Sequence, residues 1–193
     1  MGDFMVSFEE LKTIMKKRLK KSRYKHTLGV VEAAKSLALD HDVNVNQAAL
    51  AALLHDYGKN LSSSELCEQV DEFGIKLDSI TKKNLSLVHG EVGAALVCKE
   101  LGLCDEDVLN AIRYHTYGRV NMSDLEKVIY IADAIEPGRD YDGVEELRVL
   151  ATQDLDKALR RAVSDSIQFV VQKGHMLHLN TIELWNAIIT DEL

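Results

Sequence analysis

Six of the metal-binding side chains in this sequence recur at spacings that could bring them to one point. They are His26, the adjacent His55 and Asp56, then His89, His115 and Asp133. Imidazole and carboxylate suit iron, manganese, cobalt or zinc, whereas magnesium prefers oxygen throughout. One ion would take His26, His55, Asp56 and Asp133. His89 and His115 would either complete a second metal position bridged by Asp56 or donate to phosphates, and the sequence leaves both roles open. An ion so held is a Lewis acid and lowers the pKa of bound water. Single His-Asp pairs recur on solvated faces, and Asp40-His41-Asp42 is read as one. Asp133 lies inside the apolar run Val128 to Ile135, where an unpaired carboxylate is costly. Pairing with an arginine or a cap would offset that cost; a metal is the preferred reading.

Four cations stand within a few residues of these groups: Arg23, Lys59, Arg119 and Arg139. Phosphoryl transfer is catalysed mainly by positioning and by neutralising negative charge, so cations beside a metal fit that chemistry. The chain has no GxxxxGK[ST] loop, GxGxxG fingerprint, GxSxG elbow or HExxH pair. The common nucleotide-loop, serine-hydrolase and zinc-protease readings fall away.

The elements that must position these groups read as helices. Ser7-Phe8-Glu9-Glu10, Ser62-Ser63-Ser64-Glu65 and Ser123-Asp124-Leu125-Glu126 are helix starts with capping-box spacing. Lys16, Lys17, Arg18, Lys20 and Lys21 are expected on a solvated face. A second helix opens near Arg23 and carries His26. The alanine-rich stretch from Asn44 to Leu54 reads as a buried central helix ending at His55-Asp56, with Gly58 freeing the backbone to leave it. Residues 73–84 read as a connection with some helical turn. His89 opens a helix that stops at Gly102, Asp105 starts one that ends at His115, Leu155 to Lys173 forms another, and Asn180 starts the last. The chain is predicted to be all-α, a single domain over residues 1–193.

With 193 residues, 46% hydrophobic and 28% charged, the chain can bury a proper core. Its net charge of −8 argues against a nucleic-acid binder, yet a local metal and a few cations can still draw in a polyphosphate. Cys67, Cys98 and Cys104 show no Cys-x-x-Cys pairing and are expected as reduced, packed thiols. No signal-peptide order or membrane-length apolar run is present, so a cytoplasmic protein without a membrane partner is expected.

The motifs Arg23-Tyr24-Lys25-His26, His55-Asp56-Tyr57-Gly58-Lys59, Val88-His89-Gly90, His115-Thr116-Tyr117-Gly118-Arg119 and Ala132 to Arg139 together resemble the bacterial YqeK-type HD-domain proteins. These are the symmetrical diadenosine tetraphosphate hydrolases. The resemblance runs from about Arg23 to Asn186 and implies an HD-domain helical bundle with iron held by His26, His55, Asp56 and Asp133. It implies catalytic roles for Asp56, Lys59, His89 and His115. Substrate contacts would come from Arg23, His26, Asp56, Tyr57, Gly58, Lys59, His89, His115, Thr116, Gly118, Arg119, Asp133 and Arg139. A C-terminal loop would add Met176, Leu177, His178 and Thr181. The expected reaction cleaves diadenosine tetraphosphate at its centre to two ADP. Hydrolysis of a nucleoside triphosphate or mononucleotide, or nucleotide sensing by a metal-anchored module, are the alternatives; a homodimer is compatible with each.

Overall fold

The computed structural model describes residues 6–190, so the ends of the expected 1–193 domain lie outside the described residues. Ten α-helices follow one another: α1 (Phe8–Arg18), α2 (Lys21–Asp40), α3 (Val45–Leu54), α4 (Ser63–Phe73), α5 (His89–Leu101), α6 (Glu106–Tyr114), α7 (Asp124–Ile135), α8 (Val144–Gln153), α9 (Leu155–Gln172) and α10 (Leu179–Ile189). A short 3-10 turn, Leu85–Val88, leads into α5. There is no strand among the described residues, in keeping with the all-α expectation.

Helix α3 is the axis. Every residue from Ala48 to Leu54 is buried, and its four alanines keep the helix slim enough for neighbours to approach closely. Helices α2, α6 and α7 pack against it, α5 lies on α6, and α9 packs on α7. The ends of α3, α5 and α6 thereby meet the inner faces of α2 and α7.

Local chemistry sets most helix boundaries. Ser7, Ser62 and Ser123 each form the expected capping box with a glutamate three residues on. Helix α8 had no such mark: Gly143 precedes it in a left-handed conformation without a side-chain cap. The last helix begins slightly before Asn180, because His178 is its N-cap and accepts from the Asn180 amide.

Several expectations are corrected. Cys98 and Cys104 form a disulfide, because Gly102 turns the chain back after α5 and brings their Cα atoms to 4.6 Å. Cys67 is free but exposed rather than packed, so the thiol-based reading of a reducing compartment loses its ground. Arg18 is not simply solvated: its guanidinium stacks on Tyr57, donates to the Tyr57 carbonyl and pairs with Glu100. Gly58 is not in the left-handed region. Glycine is needed there for close approach, since a Cβ would lie 2.5 Å from the His89 carbonyl oxygen. Among the described residues, no helix is long and apolar enough to cross a membrane.

Candidate metal centre

Four imidazoles are fixed in the same way. His55 Nδ1 lies 2.6 Å from the Ala52 carbonyl, His89 Nδ1 2.6 Å from Ser86 and His115 Nδ1 2.7 Å from Ile112, each three residues back. A carbonyl can only accept, so each Nδ1 carries the proton and each Nε2 keeps its lone pair. His26 reaches the same state through Glu136, whose Oε1 lies 3.1 Å from its Nδ1. Helix ends thus supply the carbonyls that turn three Nε2 atoms inward, and a carboxylate turns the fourth. Donation from the far ring nitrogen is how metal-binding histidines are oriented.

The inward atoms crowd one another. His55 Nε2 is 3.1 Å from Asp56 Oδ2, and His26 Nε2 is 3.0 Å from Asp133 Oδ1. His89 Nε2 stands 3.4 Å and His115 Nε2 3.8 Å from Asp56 Oδ1. His26 Nε2, His55 Nε2 and both Asp56 oxygens are nonetheless buried without a hydrogen-bond partner. Arg23 Nε meets Asp56 Oδ2 from one side, and the remaining approaches set imidazole Nε2 atoms against carboxylate oxygens, an arrangement that a shared cation relieves. Three overlapping donor sets fit an ion: His26-His55-Asp56, His55-His115-Asp133 and Asp56-His89-His115. The donors fit iron, manganese, cobalt or zinc.

The charges balance locally. Burial would raise both carboxyls, but positive charge beside them, from an imidazole that takes a proton or from a shared cation, holds them well below the usual carboxylate range. Burial and the nearby His55 and His89 rings push His115 down to about 3, and burial also lowers His89. Against the same burial, the Asp56 carboxylate raises His55.

The surrounding cations differ in role. Arg23 pairs with Asp56 through Nε. Arg139 donates from Nε to the Asp133 carbonyl at 2.8 Å and from Nη2 to Asp133 Oδ1 at 2.7 Å. Burial lowers the pKa of Lys59, whose Nζ lies 3.4 Å from His89 Nε2. The Thr116 hydroxyl stands 3.1 Å from His115 Nε2. Asp133 thus has both partners weighed for it, an arginine and a place in the donor set.

Four of the expected substrate contacts are engaged in bonds within the protein. Arg119 makes a two-pronged ion pair with the buried Glu126 at 2.8 and 3.0 Å, anchoring the turn after α6 rather than joining the cations at the cluster. Tyr57 is buried, and its hydroxyl donates to Glu100 at 2.6 Å. In the C-terminal loop, His178 stacks on Tyr117 and its Nε2 meets Asp78 at 3.1 Å, while Thr181 donates to the Tyr117 carbonyl at 2.9 Å. These two brace the turn carrying His115, Thr116 and Gly118; Met176 is exposed and Leu177 half-buried. Glu136 lies within the Ala132 to Arg139 motif. It is buried, holds His26 and accepts from the Gly138 amide at 2.6 Å. Gly29 leaves it room, since a Cβ there would fall 2.4 Å from Oε2.

The HD domain family model matches residues 23–138. The symmetrical bis(5'-nucleosyl)-tetraphosphatases of Halalkalibacterium halodurans and Bacillus subtilis are each 38% identical to the chain, covering 93% and 94% of it and 95% and 97% of themselves. A crystal structure from Clostridium acetobutylicum, described as a predicted HD superfamily hydrolase involved in NAD metabolism, is similar with a TM-score of 0.93. It is 44% identical and aligns over 97% of this chain and 99% of its own.

Proposed function

The chain belongs to the HD-domain family, and from that premise we propose that it is a metal-dependent hydrolase cutting diadenosine tetraphosphate symmetrically into two ADP. The supporting observation is the convergence of four Nε2 atoms on the buried Asp56 and the half-buried Asp133, with Arg23, Lys59 and Arg139 beside them. The choice of substrate is supported by the similarity to symmetrical tetraphosphatases over more than nine-tenths of the chain.

His26, His55, Asp56 and Asp133 would hold the ion, iron by resemblance. When bound it supplies Lewis acidity toward a phosphoryl oxygen and toward water. Hydrolysis breaks the bond between one inner phosphorus and the central bridging oxygen, and ADP leaves with that oxygen. Arg139, braced by Asp133, offers an Nη1 with no partner among the described residues, suited to a phosphate oxygen. Lys59 and Thr116 already address the Nε2 atoms of His89 and His115. We therefore read these two histidines as facing the phosphates as neutral rings, rather than completing a second metal position. Asp56, with His55 and His26 on one side and His89 and His115 on the other, links both halves of the centre.

The reading is tested by multiple-turnover assays of metal-loaded and chelated protein. Dinucleoside polyphosphates of different length, nucleoside triphosphates and mononucleotides would be compared. Metal-dependent turnover strongest on diadenosine tetraphosphate is expected. Preference for a mononucleotide would replace the reading with the broader phosphohydrolase, and binding without turnover with a sensing module.

A further inference from the structure

The three helices that carry most of the centre's donors share one far corner. Helix α3 ends at His55 and Asp56, α6 ends at His115, and α5 opens with His89. Their other ends meet around residues 98–105. Cys98, in the last turn of α5, is joined to Cys104, which immediately precedes Asp105, the N-cap of α6. Asp105 Oδ1 accepts from the Asp107 and Val108 amides at 3.0 and 3.2 Å. Its Oδ2 accepts from Gln47 Nε2, in the first turn of α3, at 3.0 Å. No step of the hydrolysis uses this corner. We propose that Cys98–Cys104 is a reversible thiol–disulfide site, open to low-molecular-weight thiols, whose oxidation clamps the three helices and slows loss of the metal. The effect on the metal rests on the metal-dependent reading above; the exchange itself does not.

The bond is reachable, and its two sulfurs stay together in either state. Cys104 is exposed and Cys98 half-buried, so a small thiolate can reach the Cys104 sulfur. Its attack there breaks the Cys98–Cys104 bond, and the electron pair leaves on Cys98 Sγ, which takes a proton. A second thiol attacks the mixed disulfide, freeing Cys104 as a thiol and the small molecule as its own disulfide. Two electrons and two protons have passed to the protein, and the reverse sequence returns them. Reduction leaves little to move. Gly102, in the left-handed conformation, donates its amide to the Cys98 carbonyl at 3.1 Å, and Leu103 between the cysteines is buried. The same carbonyl lies 3.6 Å from Cys104 Sγ, whose S–H can donate to it once the bond is open. The cross-link acts instead on the opened chain, whose freedom it removes. Helix α5 packs on α6 and α6 on α3, so opening this corner loosens the helices that hold His55, Asp56, His89 and His115. Metal escapes through such openings, whereas turnover by closed, loaded protein does not pass through them.

The test places metal-loaded full-length protein in buffers of reduced and oxidised glutathione, with iodoacetamide trapping and mass spectrometry. The parent is expected to trap one thiol, Cys67, when oxidised and all three when reduced, in both directions and without unfolding. Reduction should lower Tm by roughly 5–10 °C, the size expected for a short closed loop in a chain of this length. Metal release to a chromogenic chelator should become about tenfold faster or more, while kcat on diadenosine tetraphosphate with excess metal holds. The double variant Cys98→Ser, Cys104→Ser should match the reduced parent in every buffer, and Cys67→Ser should switch as the parent does. Three trapped thiols at every glutathione ratio, or a bond that yields only in denaturant, would overturn the site. Equal Tm in the two forms would overturn the clamp, and unchanged metal release beside a shifted Tm would overturn its effect on the centre. A parent that holds no metal in either form would overturn the metal-dependent reading, with trapping and Tm still deciding the site and the clamp.

Discussion

The metal centre and the open cleft beside it, which lies between α7 and α9 and is lined by Asp133 and Arg139 at one end and Tyr141, Asp165, Ser166 and Phe169 at the other, are built on opposite principles. The centre is buried, and its ligands are held from behind by helix-end carbonyls and Glu136. The cleft is half-open, and its outer side chains are exposed or paired only along their own helix. Geometry that must hold repelling lone pairs together needs fixed supports. An open surface does not. The centre should therefore respond to mutation with large losses of chemistry, and the outer cleft wall with much smaller ones.

The largest effect is expected at the ligands. His26→Ala, His55→Ala, Asp56→Ala and Asp133→Ala should each lose metal, measured by elemental analysis of folded protein, with activity down on the order of 10³-fold or more as several kcal/mol of Lewis-acid stabilisation vanish. Full metal occupancy in most of them would break the contrast.

Next come the cations. Arg139→Ala and Lys59→Ala should each cost about 2–5 kcal/mol of transition-state binding, as for a charge pair shielded from water. Arg119→Ala separates nearness in sequence from nearness in space. Catalytic efficiency should hold, while denaturant unfolding loses about 1–3 kcal/mol because the buried Glu126 carboxylate loses its only cation and keeps just the Ser123 amide among the described residues. An activity loss matching Arg139→Ala would return Arg119 to the site.

A smaller change sharpens the role of the supports. Glu136→Gln keeps shape but weakens the hold on His26 Nδ1, and metal affinity should fall about 10–100-fold, as when such outer partners are removed elsewhere. Competition with a chelator measures it directly. Unaltered affinity would make Glu136 only a turn residue through Gly138.

What could be read from the sequence divides along the same line. Histidines and an aspartate within an apolar helix are rare enough types that His26, His55, Asp56, His89, His115 and Asp133 stood out before any fold was known. The capping boxes at Ser7, Ser62 and Ser123 marked helix starts because their bonds are local. Direction was harder to read. Tyr57 and Arg119 sit beside site residues in sequence, yet Glu100 and Glu126 draw their side chains to other bonds. The Cys98–Cys104 bond depended on the turn at Gly102. Helix α8 lacked a side-chain cap to announce it. On α9, Asp165, Ser166 and Phe169 look like an ordinary solvated helix face, and only the packing of α9 on α7 makes them a wall.

The central claim is that this centre cuts a symmetrical substrate at its middle. It is tested most directly by single-pass hydrolysis of diadenosine tetraphosphate in heavy-oxygen water with metal-replete protein. The account predicts ADP as sole product, with label in half of the molecules, since one inner phosphorus takes the water oxygen and the other half departs with the bridge. ATP and AMP appearing together from the earliest time point would contradict it.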